Sequence, residues 1–270
     1  MLVLYVEAPF AVFRTFTAGW YRPTATFITP SAAYGLVLNL AGIDSRLRED
    51  EPGHGGKVPA SLTRPGLPAM EIAVGVPEYM LRGRTKVPIA VDVLFPRVQT
   101  VFQQLHNYPV GTSGAARAES TKGNKYNIAP VRREYLSGFR AVIALRADDD
   151  LTHRVVRGIA GDFSERRYGV PFIGDNAFLI DRIETLPEPG PVRWYERVIA
   201  DPGSGPRGRT TRLTTLIDRA DLSRTASALY APQSEACIGE PPQLAWTTIT
   251  PPAMETPATP ARKPSRRGKN

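Results

Sequence analysis

Cysteine is almost missing from this chain: Cys237 is the single one among 270 residues. One thiol forbids an intramolecular disulfide and any zinc site built on cysteines, and it fits a reduced, cytosolic setting. Histidine is nearly as scarce, with only His54, His106 and His153. There is no Walker-type phosphate loop, no nucleophile elbow and no internal repeat. No apolar run approaches the roughly 18 residues that a spanning helix needs. The N-terminal MLVLYVEAPFAVF has no basic leader and is broken by Glu7 and Pro9, so it reads as a strand rather than a signal peptide. These absences predict a soluble, cytoplasmic protein with no membrane partner and without a metal or a cofactor.

What is plentiful is positive charge. The chain carries 34 Lys and Arg against 26 Asp and Glu, a net charge of +8. The end, 251–270, reads PPAMETPATPARKPSRRGKN; its prolines and cations lack apolar periodicity and predict a disordered basic tail. Residues 1–250 then form one folded domain, with ample material for a core. Within it the cations cluster at Arg82, Arg84, Lys86 and Arg97, and again at Arg117, Lys122, Lys125, Arg132, Arg133 and Arg140. Such a cluster is a candidate nucleic-acid footprint, because each neutralised phosphate releases counterions. A solvated basic surface is the plainer explanation.

Local patterns predict the element order. LVLYVEA at 2–8 reads as a strand. Residues 29–42 read as a helix, with Thr29 as cap, Pro30 at its first position and Gly42 ending it. Ala32, Ala33, Leu36, Val37 and Leu40 form its buried stripe. MEIAVGV at 70–76 and GFRAVIALR at 138–146 read as strands. Asp148, Asp149 and Asp150 precede a short helix whose inner face is Leu151, Val155, Val156 and Ile159. AFLIDRI at 177–183 reads as a fourth strand. The succession β-α-β-β-α-β matches an α+β, ferredoxin-like unit of the RNA-recognition-motif type. A long insertion at about 80–136 separates its second and third strands, and strand-like pieces at 190–250 have no assigned place.

Two segments go beyond fold class: FRTFTAGWYRPTATFITPSAAYGLVLNLAGI at 13–43 and RRYGVPFIGDNAFLIDRI at 166–183. Together they resemble the CRISPR-associated Cas protein family 5, of the repeat-associated mysterious protein (RAMP) superfamily. FQQLHNYPVG and KGNKYNIAPVRREYL are similar to its myxobacterial-type subgroup. The resemblance implies an RNA-binding subunit of a type I CRISPR surveillance (Cascade) complex. Such a subunit caps the 5′ handle of the CRISPR RNA and joins the large (Cas family 8) subunit to the backbone (Cas family 7) subunits. It meets target DNA only indirectly, in antiviral defence or RNA-guided transposition. The insertion would be the family's thumb, which displaces a base between spacer and handle.

Rings interleaved with cations suit single-stranded RNA, since bases stack while Lys and Arg neutralise phosphates. The early loop offers Arg14, Trp20, Tyr21 and Arg22, and the insertion offers His106, Tyr108, Lys122, Lys125 and Tyr126 beside Arg132 and Arg133. Rings such as Trp20 and Phe27 have the core as their competing destination. In the loop at 166–176, Arg166, Arg167, Tyr168, Gly169 and Gly174 would hold handle phosphates; alternatively this is a tight turn fixed by Asp175 and Asn176. A second function remains open: a metal-independent endoribonuclease using His106, Tyr108 or Tyr126, and Lys122 or Lys125. A third is a ferredoxin-like scaffold that binds protein alone.

Overall fold

The protein is described by a computed structural model covering residues 1–15, 20–47, 62–109, 126–163, 169–199, 208–219 and 221–251, with side chains of 104–109 and 126–129 excluded. It is an α+β protein in which two helices serve one large, mainly antiparallel sheet. The first strand, β1 (Leu2–Ala11), is followed by a two-residue strand β2 (Tyr21–Arg22) and helix α1 (Pro30–Leu40). Thr29 caps α1, its hydroxyl accepting from the Ala32 N–H at 3.1 Å, and Pro30 fills the first helical position. At the other end the Gly42 and Ile43 N–H groups return to the Asn39 and Leu38 carbonyls at 3.0 and 2.8 Å, a Schellman closure with Gly42 at positive φ.

β3 (Met70–Pro77) leads into a small hairpin, β4 (Tyr79–Arg82) and β5 (Thr85–Pro88). The chain then forms a long two-stranded arm from β6 (Arg97–Pro109) and β7 (Tyr126–Arg146). Helix α2 (Asp149–Ala160) and β8 (Arg182–Leu186) follow. The Asp148 carboxylate caps α2 by accepting from the Leu151 N–H at 2.7 Å. The unassigned C-terminal pieces become β9 (Val192–Arg197), β10 (Thr211–Leu216), β11 (Ala226–Pro232) and β12 (Thr247–Ile249). All four belong to the main sheet, whose principal order is β10-β11-β9-β3-β7-β1-β8, with β12 on β3 and both β2 and β6 on β7.

Two sequence expectations are corrected. The fourth strand begins at Arg182, not at 177, because Phe172 and Leu179 pair across a loop and the Ile173 N–H bonds the Phe178 carbonyl at 3.0 Å. Pairing with β1 starts only at Glu7 opposite Arg182. In α2, Val156 is 41% exposed; the buried face is Leu151, Val155 and Gly158. Glycine is required at 158, since a Cβ there would lie 1.7 Å from the Leu40 carbonyl oxygen of α1.

The sheet is buried on both faces. Leu4, Val6, Ile72, Val74, Ile143 and Leu145 face α1 and α2. On the opposite face, Val3, Tyr5, Ala73 and Val142 are covered by Tyr79, Leu81, Trp194 and Trp246. An RNA-recognition motif reads bases on its open sheet face. That face is closed here, so any nucleic acid must be met elsewhere.

Candidate nucleic-acid interface

The arm emerges from the sheet through an irregularity in β7. Leu136 and Phe139 both enter the helix-side core, although strict alternation would send them to opposite faces. Gly138 between them has φ +66°, and the β1–β7 register runs Ala8–Phe139 and then Phe10–Ser137. Past that point β7 pairs with β6 on one side, Val101 opposite Arg133 and Phe102 opposite Arg132. On its other side it pairs in parallel with β2, Tyr21 with Arg132 and Arg22 with Arg133. The base of the arm is therefore three strands wide.

Two carboxylates hold this base. Glu134 accepts from the Thr24 N–H at 3.1 Å and from the Tyr21 hydroxyl, and that hydrogen bond raises the Tyr21 phenol above its ordinary pKa. Asp175, in the glycine loop, accepts from Arg133, from Arg14 at 3.4 Å and from the Ala177 N–H at 3.0 Å. Burial pushes Asp175 upward, but the Ala177 and Arg133 hydrogen bonds with the charges of Arg133 and Arg14 outweigh it. The carboxyl titrates below its usual range.

The glycine loop is anchored by close backbone approach. Gly174 has φ +77°, and a Cβ there would lie 1.5 Å from the Val12 carbonyl oxygen. The Val12 N–H bonds Ile173 at 3.3 Å, and Asn39 of α1 donates to the Gly169 carbonyl at 3.2 Å. Segments 13–43 and 169–183, far apart in sequence, thus meet each other and the root of the arm. Gly174 and Asp175 have structural duties that require no ligand.

The structure brings together Arg14, Trp20, Tyr21, Arg22, Arg132, Arg133 and Gly174, whereas Gly169 is placed against α1 by Asn39. Trp20 is 70% exposed, and its carbonyl accepts from the Arg132 N–H at 2.8 Å. Phe27, its companion in the sequence reading, is core: it stacks on Tyr195 with ring centroids 4.5 Å apart. Arg82, Arg84 and Lys86 lie on the β4–β5 hairpin, whose contacts run to another part of the molecule. Lys86 donates to the Glu188 carbonyl at 2.8 Å, and Arg182 holds the carbonyls of Leu81 and Gly83 at 2.7 and 2.8 Å. The groove of about 770 Å³ beside them is lined by Glu7, Asp181 and Glu184 as well as Arg82 and Arg182, a poor match for phosphate. His106, Tyr108 and Tyr126 fall on the arm's strands, their side chains outside the described residues. Lys122, Lys125, Arg166, Arg167 and Tyr168 also lie outside them. No metal-binding group of His, Cys, Asp or Glu occurs among the described residues.

Sequence reasoning missed Phe102. It is 74% exposed and sits opposite Arg132. Its signal in the sequence, a lone ring in VQTVFQQ, was indistinguishable from a core strand residue.

The geometry defines a class: a large-sheet α+β protein with a cation- and ring-rich arm rooted between two loops. By its sequence the chain belongs to the family of CRISPR-associated protein (Cas_Cas5), whose profile matches residues 1–160. A search of curated proteins gave no match. Among solved structures, one titled "CRISPR RNA-guided surveillance complex" aligns with TM-score 0.49 and 13% identity, over 90% of this chain and 95% of that one. Another, "Crystal structure of Cas protein", aligns with TM-score 0.39 and 12% identity, over 86% and 93%. No helix among the described residues is long and apolar enough to cross a membrane.

Proposed function

We propose that this protein is the RNA-binding subunit of a type I CRISPR surveillance complex and that it caps the 5′ handle of the CRISPR RNA at the root of the arm. The observation that carries this reading is the gathering of exposed Arg132, Trp20 and Tyr21 at one three-stranded base, with Arg22 on its other face and Arg14 and Arg133 joined to Asp175 beside it. Cations neutralise phosphates and rings take unstacked bases. The family to which the chain belongs supports it. The strand order β3-β7-β1-β8 with α1 and α2 in its crossovers is, in our reading, a ferredoxin-like RAMP core, and the arm is its thumb. FQQLHNYPVG and KGNKYNIAPVRREYL favour the myxobacterial-type subgroup. In this proposal the subunit works in the cytoplasm, between the backbone (Cas family 7) and large (Cas family 8) subunits.

Purified protein mixed with labelled repeat RNA, without metal, tests the proposal. A handle-dependent mobility shift is expected, with RNA intact on a denaturing gel. Arg22→Gln together with Arg132→Gln should weaken the shift and flatten its salt dependence by about 0.7 per lost phosphate contact. An unchanged salt slope would refute the assignment of the arm's root. Cleavage at one position, lost in His106→Ala, would replace the capping role with endonucleolytic processing.

A further inference from the structure

Pairing places Phe102 of β6, Arg132 of β7 and Tyr21 of β2 at one level across three adjacent strands. Directly paired residues share a face, and adjacent strands are about 4.8 Å apart. The three side chains therefore form a row of ring, guanidinium and ring. Contact within the row is seen at one end, where the Arg132 guanidinium lies 5.2 Å from the centre of the Tyr21 ring. At the other end Phe102 is the most exposed ring of the arm's root, and Tyr21 is 41% exposed. An exposed phenylalanine on a strand has no polar reason to face water, and its paired neighbour here is the cation Arg132.

Resting on the RNA-binding reading, we infer that Phe102, Arg132 and Tyr21 form a stacking platform for unpaired nucleobases. One base lies on Phe102 and the next over the Arg132–Tyr21 pair. Charge favours this occupant over a protein surface. Of the two carboxylates near the row, Asp175 is ion-paired with Arg133 and Arg14, and Glu134 keeps its charge with both oxygens engaged by the Tyr21 hydroxyl and the Thr24 N–H. The row itself offers two rings and a guanidinium, the pairing that single-stranded nucleic acid uses and a duplex, with its bases already stacked, does not. The opposite face of the same three strands carries Arg22 and Arg133, which share a register position.

The test uses the full chain and repeat RNAs that each carry 2-aminopurine at one position of the handle. Wild-type protein should quench the fluorescence strongly at two successive positions. Phe102→Leu should abolish quenching at one of them and weaken binding about 5- to 150-fold, with the salt slope unchanged because no charge is lost. Phe102→Tyr should restore both. Thermal melts of the variants check that folding is intact, as an exposed side chain allows. Wild-type affinity and quenching retained in Phe102→Leu would overturn the platform while leaving RNA binding in place. Absence of RNA binding by the wild-type chain would overturn the RNA-binding reading and, with it, the platform.

Discussion

Single residues at the root of the arm divide into those that hold it and those that face outward. Arg133 is largely buried against Asp175, whereas Arg132 is exposed. Asp175→Asn keeps an acceptor for Ala177 but loses the charge that Arg133 and Arg14 share. It should cost about 1–3 kcal/mol in urea melts at pH 7. Because the folded carboxyl titrates below the unfolded one, its stabilisation is complete above the ordinary Asp range. It is lost as pH falls through the folded pKa. The gap between wild type and Asp175→Asn should therefore be flat from pH 7 to about 5 and close below about pH 4. Two glycines make a matched pair. Gly138 and Gly174 both have positive φ, but an added Cβ meets nothing at 138 and the Val12 carbonyl at 174. Gly138→Ala should cost about 1–2 kcal/mol from backbone conformation alone. Gly174→Ala should be far worse, at or beyond the edge of folding, as read by melting temperature and soluble yield.

At the scale of elements, β7 serves two purposes along its 21 residues. Residues 139–146 are central sheet, paired with β1 and β3; residues 126–135 are arm, paired with β6 and β2, and Leu136 and Ser137 join the two, paired with both β1 and β6. The first half was legible in the sequence because FRAVIALR is apolar enough to need burial. The second was not, because NIAPVRREY is stabilised as a strand by β6, 17 or more residues away across the arm's tip. The β8 shift has the same origin, since the apolar AFLI of AFLIDRI reads as a strand and only the partner β1 decides that pairing starts at Arg182. Both helices were legible, for their caps Thr29 and Asp148 act locally. Replacing 101–133 by a two-residue Asn-Gly turn, which keeps Thr100 opposite Glu134, should leave the sheet core folded, with a cooperative melt, and should remove the mobility shift of repeat RNA. Loss of the cooperative melt would show instead that the arm is part of the core.

On the scale of the whole molecule, covering both faces of the sheet decides where function can reside. Trp194 and Trp246 close the face that a simple RNA-recognition motif leaves open, and the C-terminal strands extend the same sheet. Under the proposed function, RNA is thereby directed to the arm's root. The basic segment 252–270 follows β12, which pairs with the first residues of β3, and β7 reaches that level only at its end, Arg146 opposite Glu71. That point lies nine residues, about 30 Å of strand, from the Ser137 end of the arm. Truncation after Pro251 should lower non-specific affinity and the salt slope, while the ratio of handle to non-handle binding stays unchanged in competition shifts, because the cations of 252–270 attract phosphate without reading sequence.

By itself the sequence determined the local matters: the capped helices, the apolar strands, the surplus of cations and the two segments that carry the family resemblance. Each rests on neighbours within a few residues or on composition. Tertiary structure alone decided that Arg14, Arg133 and Asp175 meet, since their positions span 161 residues, and that Tyr21 meets Glu134 and Arg132. It also decided that Trp20 faces water while Phe27 is buried, and that Phe102 shares a row with Arg132. The physical reason is that facing and partnership in a sheet follow from register. Register here is set by pairing between distant strands, and it continues unshifted past Gly138, whose left-handed conformation accompanies the change of face along β7.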